Sequence, residues 1–254
     1  MKKKVWYAPN KLEAYGEEEI KAVEQCLRDG WLAGFGPRSI EFEEKISKEF
    51  GKKFGVFVNS GSSACLLALA ALDLPKGCKI ITPALTFSTT LAPIIQLGYK
   101  PIFIDSNLKS YVPNIKDIIN AITDDTKAIM VPNLIGNKPD WKSLKKELKK
   151  IGREDVYVIE DSADTVSYTK ESDVSTTSFY ASHVITAGGM GGMVMFNDEK
   201  HVKRALQYRD WGRIGDNNEN IDERFAHEVD GLPYDYKFLY GVLGYNMKCS
   251  EMSA

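Results

Sequence analysis

The chain has 254 residues, of which 43% are hydrophobic and 27% charged, and a formal net charge of −2. This is the composition of a soluble, foldable chain of one large or two smaller domains, and its near balance of charge gives no general reason to expect nucleic acid or an anionic membrane as partner. No run approaches the ~18 apolar residues of a membrane span, and the opening "MKKKVWYAPNKLE" has a basic start without the apolar stretch of a signal peptide, so a cytoplasmic protein is expected.

In chain order, "GEEEIKAVEQCLR" (16–28) has helical periodicity, with acids in the first turn where the helix dipole favours them and Gly30 as a stop. "PRSIEFEEKISKEFG" (37–51) predicts a second amphipathic helix closed by Gly51. "FGVFVNS" (54–60) reads as a strand that passes directly into a helix, "GSSACLLALAALDL" (61–74). The alternation then repeats: strand "CKIITPA" (78–84), helix "STTLAPIIQLG" (88–98), strand "KPIFIDS", helix "IKDIINAI", strand "KAIMVPNL", helix "DWKSLKKELKKIG" and strand "VYVIEDS" (156–162). Apolar, β-branched strands separated by helices indicate βαβ crossovers, hence an α/β fold with a mostly parallel sheet between helices. "STTSFYAS" and "GGMVMFND" (191–198) are short strands close together, followed by the helix "EKHVKRALQYRDWG". Residues 212–237 are polar and irregular and predict a long loop, a feature often tied to function. The sequence stops at "GYNMKCSEMSA" without turn chemistry that closes a domain, so a truncated chain is expected.

Three stretches carry candidate chemistry. In "VNSGSSACLLALAAL" a strand runs into Ser60, Gly61, Ser62 and Ser63 and a helix begins at once; free N–H groups and partial positive charge there suit a phosphate, although a serine N-cap alone gives the same pattern. In "VYVIEDSADTV", Glu160 and Asp161 end a buried strand, where open α/β sheets place their ligands; either carboxylate suits a cationic ring nitrogen, or simply caps a turn. Phe87 follows another strand and suits stacking on a flat ring, or burial in the core. Together a phosphate cradle, an acid and an aromatic at strand ends of one sheet outline a pyridoxal phosphate site.

On these residues the sequence resembles the DegT/DnrJ nucleotide-sugar aminotransferases and their dehydratase relatives. The likeness runs from "GEEEIKAVEQCLRDGWLAGFGPRSIEFEEKISKEFG" through "SGSSACLLALAAL", "ITPALTFSTTLAPI", "IEDSADTV" and "SFYASHVIT" to "GYNMKCSEMSA". It implies an aspartate-aminotransferase-like fold (pyridoxal phosphate fold type I). Residues 1–254 would form its cofactor-binding large domain, with a helical segment over about 1–50 and the C-terminal small domain missing. It implies Gly61 and Ser62 at the cofactor phosphate, Phe87 on the ring, Asp161 at the pyridine nitrogen and Asp164 beside the ring hydroxyl. Ser178 would be a further phosphate contact, and Asn246 would reach the phosphate of the neighbouring subunit in a homodimer.

At the place of the Schiff-base lysine this sequence has His183, in "SFYASHVITAGGMGG". Imidazole forms no stable imine but is a good base near neutrality. This resembles the nucleotide-sugar 3-dehydratase branch, the GDP-4-keto-6-deoxymannose 3-dehydratase type among them. The branch implies pyridoxamine phosphate held without a covalent bond and a nucleotide-linked 4-keto-6-deoxyhexose as substrate. His183 would act as the base and the sugar would lose its 3-hydroxyl. The run "HVITAGGMGG" departs from the "HHITxGEGG" that the dehydratases resemble, and Ala181 stands where a proline is common. Iron–sulfur relatives carry cysteines in the loop after "WGR". Here Trp211-Gly212-Arg213 is followed by "IGDNNENIDERF", and Cys26, Cys65, Cys78 and Cys249 lie elsewhere at unsuitable spacing. No iron–sulfur cluster and no reductase partner are therefore expected, with the pyridoxamine form regenerated by an amino donor such as glutamate. Two alternatives stand beside this reading: a nucleotide-sugar aminotransferase that uses another amine, Lys200 and Lys203 being the nearest downstream, and a truncated, non-catalytic member.

Overall fold

The computed structural model describes residues 15–34, 36–214 and 221–254. The N-terminal "MKKKVWYAPNKLE" and residues 215–220 of the expected loop lie outside the described residues.

Two amphipathic helices come first, α1 (Glu17–Asp29) and α2 (Pro37–Glu49). Gly30 follows α1 with φ 78°, a left-handed stop. The alternation read from the sequence follows: β1 (Phe54–Val58), α3 (Gly61–Ala70), β2 (Lys79–Pro83), α4 (Ser88–Gln96), β3 (Lys100–Ile104), α5 (Ile115–Asn120), β4 (Thr126–Pro132), α6 (Trp141–Lys150) and β5 (Tyr157–Asp161). Strands β6 (Val174–Ser178) and β7 (Gly192–Phe196) and helix α7 (Glu199–Arg209) complete the layer.

The seven strands form one sheet in the order β1-β7-β6-β5-β4-β2-β3. Strand β7 lies antiparallel between β1 and β6, and every other pairing is parallel. All strands except β7 therefore end at the same edge, while β7 begins there: Gly192 pairs with both Val58 and Ser178. Open parallel sheets hold ligands at this edge.

The two faces are read off the pleat. On one, α3 packs on β6 and β7 and against α4 and α7, and its Ala64, Leu67 and Ala68 join Ile80, Met130, Ile159 and Val174 in the largest apolar cluster. With core on every side, α3 has no polar stripe, which is why its sequence reads as a continuous apolar run. On the other, Ile81, Ile129, Val131 and Val158 pack with Trp141, Leu144 and Leu148 of α6. Neighbours in sequence alternate between these clusters, so Val158 and Glu160 face one way, Ile159 and Asp161 the other.

Residues 212–237 are not the structureless loop expected. They contain a helical turn, α8 (Ile221–Arg224), and a hairpin of β8 (His227–Val229) and β9 (Leu232–Tyr234). The hairpin closes on Asp230 and Gly231, both at positive φ (53° and 76°), the pairing that a two-residue primed turn requires. Among the described residues no helix is long and apolar enough to cross a membrane.

Candidate active site

Helix α3 starts directly after β1. Ser60 caps it, its Oγ accepting from Ser63 N–H at 3.1 Å. The Gly61 and Ser62 amides lie ahead of the first intrahelical bond, where N–H groups are free for an anion. Glycine is required at 61 by a close approach: a Cβ there would sit 2.6 Å from Ser178 Cβ. The end of β6 thus abuts the first turn of α3, with Ser178 against Gly61 and Ser62 next in the chain, a candidate anion cradle. Gly192 closes it, since a Cβ there would lie 2.3 Å from the Ser60 carbonyl.

Asp161 ends β5 on the α3 face, 7% exposed. Thr90 of α4 donates to its Oδ2 at 2.7 Å, Thr176 of β6 donates to Oδ1 at 3.5 Å, and Ala163 N–H reaches Oδ1 at 3.3 Å. Burial pushes the Asp161 carboxyl above the usual aspartate range, and these hydrogen bonds offset it only in part. Beneath it, Cys65 of α3 lies 3.5 Å from Thr176 Oγ1; burial, then the Asp161 charge, push its thiol well up. Thr90, Thr176 and Cys65 were not found from the sequence, because each reaches Asp161 from a different element.

Glu160, the other acid of the pair, is fully buried on the opposite face. Its Oε1 accepts from Asn133 (2.6 Å), Ser162 (3.0 Å) and Thr169 (2.9 Å), and Oε2 from Ser172 and Ser175 (3.0 Å each). Its acceptor capacity is used by the protein itself. The structure therefore separates the two carboxylates that the sequence left together: Glu160 is structural, and Asp161 faces the cradle side.

Phe87 stands between β2 and α4 and is 69% exposed, so it is not a core residue. His183 lies on the connection between β6 and β7, the loop 179–191, which is pinned at its base. Phe179 N–H donates to Gly191 O (2.9 Å), while Ala187 N–H (3.1 Å) and Thr186 Oγ1 (3.0 Å) donate to Phe179 O. His183 N–H donates to Tyr180 O at 2.9 Å, and the Tyr180 ring meets the imidazole edge-on at 6.2 Å. His183 Nδ1 lies 3.5 Å from Asp164 Oδ1. No lysine occurs in 179–191. Lys200 and Lys203 lie on α7, which follows the end of antiparallel β7 and so starts at the opposite edge of the sheet.

Asn246 is exposed and bridges to Asp210. The next residue, Met247, accepts from Asn59 N–H at 2.8 Å, two positions before Gly61. The four cysteines are free and buried at four separate places in the chain. Among the described residues there is no group of three or more His, Cys, Asp or Glu side chains placed to hold a metal ion.

A mostly parallel sheet between helix layers, with its cradle, acid and aromatic at one edge, has the architecture of the fold type I, aspartate-aminotransferase-like enzymes. Residues 13–254 match the DegT/DnrJ/EryC1/StrS aminotransferase family, and the chain belongs to it. It is 35% identical to the lipopolysaccharide biosynthesis protein RfbH of Salmonella typhimurium, over 94% of this chain and 58% of that protein. It is 31% identical to the GDP-4-keto-6-deoxy-D-mannose 3-dehydratase of Escherichia coli O55:H7, over 92% of this chain and 62% of the relative. The solved E. coli GDP-4-keto-6-deoxy-D-mannose 3-dehydratase with bound hydrated pyridoxal phosphate superposes with a TM-score of 0.81 at 29% identity, over 97% of this chain and 64% of that one. The chain thus spans about three fifths of the length of these relatives.

Proposed function

We propose that the chain is the cofactor-binding large domain of a pyridoxamine-phosphate-dependent 3-dehydratase acting on a nucleotide-linked 4-keto-6-deoxyhexose. The observation that carries this reading is His183, on a lysine-free turn at the sheet edge shared by the Gly61–Ser178 cradle and Asp161. The edge fits the cofactor. A side chain at 61 would fill the cradle, and Asp161 is a buried carboxylate whose ionisation is opposed by burial until a cation meets it. Gly61, Ser62 and Ser178 hold the phosphate, the exposed Phe87 ring stacks on the pyridine, and Asp161 holds the ring nitrogen protonated. When bound, the cofactor supplies an amine for the 4-keto carbon and a ring that accepts electrons.

His183 serves as the base in place of the lysine, taking the proton whose removal drives loss of the 3-hydroxyl. Asp164 lies beside it and borders the ring hydroxyl. Asn246 reaches the phosphate of a second subunit in a homodimer. Glutamate or a similar amino donor regenerates the amine without an iron–sulfur cluster or reductase, in keeping with four cysteines that share no ligand cluster among the described residues. The protein works in the cytoplasm.

The test is an absorption spectrum of the chain with pyridoxal phosphate, before and after borohydride, followed by intact mass. Aldehyde-like absorbance without a covalent adduct is expected, and His183→Lys is expected to gain the adduct. A specific adduct on a lysine of the wild-type chain would overturn the reading.

A further inference from the structure

Ile135 is in the left-handed region, at φ 55° and ψ 32°, where β-branched residues are rarely found. Its side chain is 70% exposed, so packing does not impose this backbone. The conformation instead directs the Ile135 N–H to Asp164 Oδ2, at 3.4 Å. The turn that does this is anchored on both sides. Gly136 N–H donates to Asn133 O (3.1 Å) and Asn137 N–H to Leu134 O (3.0 Å). Asn133 in turn donates from its side chain to Glu160 and Ser162, and from its backbone to Asp161 O at 2.8 Å. A backbone group fixed to the end of β5 thus holds one oxygen of Asp164, and the other oxygen faces His183 Nδ1 at 3.5 Å.

We propose that Asp164, aimed by the left-handed turn at Ile135, is a positioning residue that keeps the proton of neutral His183 on Nδ1, leaving Nε2 as the basic nitrogen. A carboxylate accepts and does not donate, so the ring nitrogen facing it carries the hydrogen. The 3.5 Å separation suits a resting site, since hydrogen bonds around catalytic groups tighten when the site is filled. The inference rests on His183 being the base, and it gives Asp164 a task besides bordering the cofactor hydroxyl.

The full chain labelled with 15N-histidine tests it without cofactor or substrate. There are three histidines, and His183→Gln assigns the signal. Long-range proton–nitrogen correlations at a pH where imidazole is neutral are expected to show His183 protonated on Nδ1. Asp164→Ala should shift the population to Nε2–H, and Asp164→Glu should restore part of it. Ile135→Gly, at an exposed residue, should raise thermal stability by relieving the backbone and keep the tautomer, since glycine holds the left-handed turn without strain. In turnover, Asp164→Ala should lower kcat about tenfold or more with little change in KM. An Nε2–H tautomer in the wild type, or a population unmoved by Asp164→Ala, would overturn the proposal whatever the reaction proves to be. Absence of dehydratase turnover with the expected tautomers would instead overturn the proposed function and leave the positioning role standing.

Discussion

Glu160 and Asp161 are adjacent in sequence and end the same strand, yet their surroundings differ in kind. Glu160, on the α6 face, is met by five side-chain donors from the connecting segments and β6, with Lys52 close enough to act on its charge. Asp161, on the α3 face, has Thr90 close, two longer contacts, and an ionisation that burial opposes. A satisfied buried carboxylate is a structural anchor. An under-supported one beside an anion cradle waits for a cation. One residue of pleat separates the two roles.

The largest effect should come from breaking the anchored side. Glu160→Ala leaves its five side-chain donors without their acceptor, while Lys52 keeps the Phe50 and Thr169 carbonyls, and should cost about 3 kcal/mol or more, read by urea denaturation. By contrast, Asp161→Asn should leave the stability of the cofactor-free chain at pH 7 equal or higher, because it removes a charge that folding disfavours, while binding of pyridoxamine phosphate and turnover are lost. Equal destabilisation by the two substitutions would erase the distinction.

A smaller effect separates the faces by pH. Burial lowers Lys52 to about 8. Between about 8 and the ordinary lysine value near ~10.4 the unfolded chain binds the extra proton, so this group makes stability rise with pH across that window. Lys52→Met should remove that rise. Asp161 acts with the opposite sign: its raised folded value means that its contribution is greatest below the ordinary aspartate value of about 3.9 and is lost as pH climbs through the raised one. Melting temperatures of wild type, Lys52→Met and Asp161→Asn across both ranges check the two slopes.

The order of helices and strands was legible because most strands are short apolar runs, β6 ("VSTTS") being the polar exception, and helices lie between them. The edge that gathers Gly61, Phe87, Asp161 and Ser178 followed from that order, since parallel strands end together. The strand order was not legible, nor was the reversed direction of β7, because nothing in "GGMVMFND" records which neighbours it joins. The β8–β9 hairpin was signalled by Asp230-Gly231 but hidden in a polar stretch. The residues alone left either of Glu160 and Asp161 as the acid of the site, and only the assembled sheet shows which of them shares a face with α3. Thr90, Cys65, Thr176 and Ile135 matter only through contacts across 15 or more positions, or through a backbone angle, and neither leaves a local pattern.

The turn that carries His183 is fastened by the Phe179 and Gly191 backbones, by Ala187 and by Thr186. None of these bonds involves the side chain at 183. The side chain proposed as the base is therefore independent of the bonds that fasten the turn presenting it. A change of side chain at this one point leaves those fastenings in place, so a scaffold of this kind can exchange one functional group for another through a single codon.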